Sequence, residues 1–290
     1  VTGAGDATQY WNKGLEDLAR LPDEKLFEQL SLGVRHCLLH AWRVWRDAGR
    51  LCRHRYFHSC GILVNIAKEE AAKAMMLVDA ARCPRGRLRE HLKAAGSHLS
   101  RLIYEDYYDW HVDTFAEIRN AVDDERDKYY VDGSDGGEGV LKNLTEGMRE
   151  RELYVDFYWD EGACYWRVPE EESGLWASRG VAPTVLAAGT ALYHCGMTSP
   201  AALRTIAQRW HSIQIRDEMG LFWHCRLLNT ETVCDLRGAG LIRRQGDALQ
   251  FVEEQWRFPL SELELSPRGN LDACKKRARE LRSRPAEEGS

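Results

Sequence analysis

At 290 residues the chain has length for two domains, or for one large domain with an extension, and for a sizeable core. Lys and Arg total 40 against 45 Asp and Glu, and the net charge of −5 excludes a general electrostatic pull toward nucleic acid, so any RNA or DNA contact has to be local. Nine scattered cysteines without a C-x-x-C pair, and no apolar N-terminal segment, imply reduced thiols and a cytoplasmic location; no run approaches the roughly 20 apolar residues of a membrane helix, so no membrane partner is expected.

Residues 1–22 read as an N-terminal leader, irregular until a short helix over Leu15 to Leu21 that Pro22 closes. A long helix follows, with Leu26, Leu30, Val34, Leu38, Ala41, Trp45 and Ala48 on one face. A break through Gly49 to His54 starts a second helix that stops before Pro84, and the two are expected to form an antiparallel hairpin. Arg87 to Trp110 and Val112 to Tyr129 read as further helices. Asp132 to Gly137 reads as a loop, and Glu138 to Glu152 as the helix closing a bundle over residues 23–152.

The pattern then changes. Tyr154 to Trp159 and Ala163 to Val168 are aromatic and β-branched runs around Asp160-Glu161-Gly162, which predicts a β-hairpin over 153–169. Pro169 and Glu170 to Glu172 mark a boundary, and residues 170–290 read as a smaller α+β region with a basic tail. Helices are expected near Pro183 to Cys195, Pro200 to Asp217 and Thr230 to Ala239. Strands are expected over Leu241 to Arg244 and Leu249 to Val252, about a Gln245-Gly246-Asp247 turn, the order in which a winged helix ends; a nucleic-acid-binding regulator of that kind is a further reading. The tail from Asp272 to Arg284 is a basic helix candidate, read as a solvated flank. The fold class expected is mainly α.

The second helix holds the most informative stretch. Cys60, Leu63, Ala67, Ala74, Leu77 and Ala81 form its apolar stripe, and the missing step falls on Glu70. A buried carboxylate demands a basic partner, and Lys73, Arg149 and Arg151 are the candidates. Glu69 and Lys73, four apart, read as a surface helix pair.

The run Ala67-Lys68-Glu69-Glu70-Ala71-Ala72-Lys73-Ala74, the His36 to Asp79 helix pair with its basic break, and Met148-Arg149-Glu150-Arg151-Glu152-Leu153-Tyr154-Val155-Asp156 occur in an order and spacing that resembles the AbiV branch of the HEPN superfamily, bacterial abortive-infection proteins that defend against phage. The likeness covers roughly residues 30 to 160. It implies a HEPN-like helical bundle, a homodimer, and an effector that blocks translation by cleaving or binding RNA or the ribosome. Another implied reading is a non-catalytic dimer that captures a phage or ribosomal protein.

Many HEPN proteins are metal-independent ribonucleases whose signature is Arg, four to six residues, then His: the arginine stabilises phosphate charge and the histidine moves the proton. That spacing occurs at Arg35/His40, Arg53/His58, Arg85/His91 and Arg204/His211, where about three matches are expected by chance. In the last bundle helix, where the resemblance directs attention, Arg149 is followed by Tyr154 instead of His. Arg149, Arg151 and Tyr154 are therefore the candidate catalytic residues. Glu69, Glu70, Lys73 and Asp156 form the candidate polar cluster, and neither cofactor nor metal is expected. His36 and His40, four apart on one helix face, and His54, His58 and Cys60 have the spacing of metal ligands but no second cluster to complete a site. Tyr104, Tyr107, Tyr108, Trp110 and His111 read as core, or as a base-stacking platform if exposed.

Overall fold

The computed structural model describes residues 14–131, 140–153, 155–160, 163–167, 169 and 181–282, and they are mainly helical. A 3-10 turn over Leu15–Arg20 leads through Pro22 into α1 (Asp23–Arg53), which carries Asp23 and Glu24 in its first turn and Arg50 and Arg53 in its last, complementing the helix dipole at both ends. All seven residues of the expected stripe are buried. A tight turn, with Arg55 at φ 65°, reverses the chain into α2 (Phe57–Asp79), which packs back along α1.

Helix α2 is the centre of the fold. From Ala71 to Asp79 every residue except Lys73 is buried, because later helices cover the faces that α1 leaves open. The helix expected from Arg87 to Trp110 is two helices, α3 (Leu88–Ala94) and α4 (His98–Tyr107). They part at Gly96-Ser97, where the Ser97 hydroxyl caps α4 by accepting the Ser100 N–H. Thr114 likewise caps α5 (Phe115–Glu125), while Glu117 reaches back to accept the Asp113 N–H at 2.9 Å.

The expected continuation of α5 to Tyr129 is cut short by β1 (Tyr129–Val131), which pairs antiparallel with β2 (Val140–Lys142), Tyr130 opposite Leu141. The loop expected at Asp132 to Gly137 lies outside the described residues. The closing helix begins at Leu144 instead of Glu138: Val140 to Lys142 is drawn into the strand pair, and Asn143 starts α6 (Leu144–Leu153) by accepting the Glu146 N–H at 2.9 Å. After α6, β3 (Asp156–Asp160) pairs antiparallel with β4 (Ala163–Arg167), Phe157 opposite Trp166, and their turn at 161–162 lies outside the described residues.

The C-terminal helices are α7 (Thr184–His194), α8 (Pro200–Trp210), α9 (Arg226–Gly238), α10 (Asp247–Gln255) and α11 (Leu271–Arg282). Among the described residues of 170–290 this corrects the α+β expectation and removes the winged-helix reading. Residues 241–245 form no strand, and Leu249 to Val252 lies inside α10. Leu249, Val252 and Trp256 are buried at steps of three and four, a helical period, and Gly246 at φ 87° supplies the left-handed turn that starts the helix. One apolar core runs through residues on both sides of 170. At Gly189 the approach of α7 is so close that a Cβ would lie 2.8 Å from the Leu38 side chain.

Candidate functional site

Helices α4 and α6 meet on one flank of α2. The Ser97 cap starts α4 so that His98 and Arg101 lie one turn apart, and the Asn143 cap sets the phase of α6 so that Arg149 reaches α2. They converge on Glu69, whose side chain is only 5% exposed. His98 Nδ1 donates to Glu69 Oε2 at 2.7 Å, and Arg149 Nε donates to Oε1 at 2.5 Å. The Arg101 guanidinium spans both acids, 3.8 Å from Glu69 Oε2 and 3.6 Å from Glu70 Oε1.

The geometry fixes the histidine's role. Arg101 Nη2 also lies 3.2 Å from His98 Nδ1, but an arginine can only donate, and a nitrogen that gives its proton to a carboxylate cannot accept another. The shorter contact to a carboxylate puts the hydrogen on Nδ1, so that in the neutral imidazole Nε2 carries the lone pair. Glu69 is sealed while the His98 side chain is 58% exposed. A buried carboxylate therefore orients an imidazole whose accepting nitrogen faces water, with two guanidinium groups beside it. That set can hold a phosphate and move a proton.

A polar seam continues from this point. Lys68 pairs with Glu105 at 2.5 Å; burial works against its charge, but Glu105 more than offsets this and holds the ammonium above its usual range. Burial, then the neighbouring Glu105 and Glu125, push the Asp106 carboxyl up to about 7. The Thr145 hydroxyl donates to Glu125 Oε2 at 2.9 Å.

Several expectations are corrected. The buried acid is Glu69, not Glu70, because α2 is covered on two sides and the second cover, from α4 and α6, falls on Glu69. Glu69 accordingly forms no surface pair with Lys73: among the described residues Lys73 has no ion pair with either acid, and it lies half-buried. Arg149 pairs with Glu69 and not with Glu70. The side chains of Arg151 and Asp156, and all of Tyr154, lie outside the described residues. Tyr104, Tyr107 and Tyr108 are buried, which removes the base-stacking platform. His36 and His40 are exposed on α1, and among the described residues no group of three or more His, Cys, Asp or Glu converges as a metal site would require. His98 and Arg101 escaped the sequence reading because the search ran from Arg to a later His. Here the His comes first, three residues before its Arg, directly after the Gly96-Ser97 helix start.

A second polar cluster lies at the other end of α2. Asp79 Oδ1 accepts from Arg82 Nε and Nη2 at 2.8 and 2.5 Å, and both side chains are 0% exposed. The Arg82 guanidinium lies against both Trp210 and Trp256, 4.5 and 4.2 Å from the ring centres, and its Nη2 also donates to the Arg257 carbonyl at 2.8 Å. Burial pushes Asp79 up to about 6 despite Arg82. No substrate can reach this pair.

Comparisons with protein-family models, with curated proteins and with solved structures find no match to this chain.

Proposed function

We propose that the chain is a phage-defence effector that blocks translation by metal-independent RNA cleavage at Glu69, His98, Arg101 and Arg149. The observation that supports this reading is a sealed carboxylate that holds an exposed histidine and two arginines. His98 Nε2 takes the proton of an RNA 2′-hydroxyl, whose oxygen bonds to phosphorus as the bond to the 5′ oxygen breaks. The imidazolium, stabilised by Glu69, returns that proton to the leaving oxygen, and a 2′,3′-cyclic phosphate remains. Arg101 and Arg149 offset the charge that builds on the phosphoryl oxygens. The AbiV-like order of motifs supports the defence role and the HEPN-like description of the bundle; the candidate roles of Arg151 and Tyr154, which follow Arg149 in the sequence, stay attached to this reading.

The test is purified protein with total RNA in chelator. Wild type is expected to leave cyclic-phosphate ends, and His98→Ala to cut at least about 10²-fold more slowly with an unchanged melting temperature. Wild type that leaves RNA intact, or a variant that cuts equally, would sink the ribonuclease reading. A second reading, a non-catalytic homodimer that captures a phage or ribosomal protein, is favoured by Leu32, Leu39 and Trp42, large apolar residues left exposed along α1. Growth arrest on expression that His98→Ala does not relieve would favour that reading.

A further inference from the structure

Helix α11 departs locally from the acidic character of the chain. Its twelve residues carry five cations and two acids, a net charge of +3, where the whole chain totals −5. Lys275, Lys276, Arg277 and Arg279 are all exposed. Among the described residues the one ion pair they make is Lys276 to Glu280 at 3.8 Å, within the helix.

The opposite face is already used. Ala278 is 4% exposed, and Cys274 Sγ lies 3.5 Å from the Tyr129 carbonyl on β1. The segment before the helix is bound as firmly: Lys128 N–H donates to the Arg268 carbonyl and Arg268 N–H to the Arg126 carbonyl, each at 2.9 Å. Acids on the elements that lead to and from the strand pair are neutralised in place, Asp127 by Arg268 at 2.7 Å, Asp123 by Arg126 at 3.1 Å, and Glu150 by Lys142. Among the described residues the cations of α11 are therefore offset only by Asp272 and Glu280 of the helix itself, and they face water in excess. An amphipathic basic helix could also lie on an anionic lipid surface, but that requires an apolar face to insert, and here that face is folded onto β1.

Placement links this face to the candidate site. Helix α11 packs on the β1–β2 pair, and β2 runs through Asn143 directly into α6, which carries Arg149. The helical run from Asn143 to Arg149 is about 9 Å, and the strand and helix packing distances add about 5 and 10 Å. The face and the site are thus within about 25 Å, a span of the size that single-strand grooves of roughly 4–16 nucleotides cover.

We propose that the exposed face of α11, formed by Lys275, Lys276, Arg277 and Arg279, binds the phosphate backbone of single-stranded RNA whose reacting nucleotide lies at His98. This rests on the ribonuclease reading for the identity of the ligand. Its test separates the two.

Full-length protein is titrated with a fluorescent 2′-O-methyl RNA of about 15 nucleotides, which binds but cannot be cut, across a range of salt concentrations. Replacing the four cations with Ala is expected to weaken binding at least about tenfold near 150 mM salt. It should also flatten the log–log salt slope by about 3, since each single-strand phosphate contact contributes about 0.7. A variant with Lys275 and Lys276 changed to Arg, which keeps the charge, should bind as wild type does. The proposal is overturned if wild type does not bind the RNA, if the four substitutions leave affinity unchanged, or if anionic vesicles bind in a four-cation-dependent way and RNA does not. Cleavage of a dinucleotide too short to reach α11 should be equal in wild type and the four-Ala variant. If no RNA is cut but the salt-dependent binding holds, the nuclease reading fails and the RNA-binding face stands.

Discussion

Helix α2 carries two buried carboxylates ten residues apart, Glu69 and Asp79, and their surroundings differ in one respect that decides what each can do. Asp79 and its partner Arg82 are both shut off from water, with the guanidinium held against two indoles. Glu69 is as deeply placed, but its partners His98, Arg101 and Arg149 reach outward to different degrees, His98 most of all. A pair sealed at both ends joins elements: Asp79 and Arg82 link the end of α2 to α8 and to the segment after α10. A pair sealed at one end can act on something outside.

The largest expected effect tests the sealed pair. Arg82→Ala leaves the Asp79 carboxylate without its cation and should cost about 3–5 kcal/mol. The loss should be smaller at pH 5, where Asp79 can neutralise itself by taking a proton. Glu69→Ala should cost less, because His98 and Arg149, which it releases, can turn to water, yet it should impair RNA cleavage as His98→Ala does. Urea denaturation of both variants measures the contrast. Equal losses would mean that the two clusters do the same structural work.

The sealed pair also predicts a pH dependence. A carboxyl pushed up to about 6 favours its neutral form in the folded state, so the stability it contributes is whole below about pH 4 and is lost as pH rises through 6. Asp79→Asn removes that loss and should flatten this part of the profile by on the order of 2 kcal/mol. His91 works in the opposite direction: burial lowers it to about 4, so its contribution is present above the usual histidine range and is lost as pH falls toward 4. Denaturation midpoints from pH 4 to 8 for wild type and Asp79→Asn isolate the first term, because His91 is common to both. Parallel profiles would contradict the assignment.

The sequence made the long helices legible because α1 has one covered face, so its apolar period names that face, and all seven stripe residues are buried. The same method misplaced the buried acid on α2, where cover comes from two directions and a single stripe cannot describe both. It merged α3 and α4 because apolar residues continue across Gly96-Ser97, although the cap residues were visible there. It took Leu249 to Val252 as a strand from a run too short to separate a period of two from one of 3.6. The candidate site was half legible: Glu69 and Arg149 stood in the motifs singled out. His98 and Arg101 did not, since what joins them to Glu69 is the crossing of α4 over α2, a tertiary fact with no local signature.

The smallest effect lies in the seam between these extremes. Asp106 is half-buried on α4, raised to about 7 first by burial and then by Glu105 and Glu125, with Lys68 pulling the other way. With the folded value above the usual carboxylate range, its stability contribution is present below about pH 4 and is lost as pH rises through 7. Asp106→Asn keeps the neutral shape and cannot acquire the charge. The variant should therefore match wild type at pH 4 and exceed it at pH 8 by about 1 kcal/mol, a figure held down by the solvent that reaches a half-buried group. Urea midpoints at the two pH values test it. A variant less stable than wild type at pH 8 would show that Lys68, not the paired acids Glu105 and Glu125, governs this position, and that the seam is balanced as an ion pair instead of being strained by like charges.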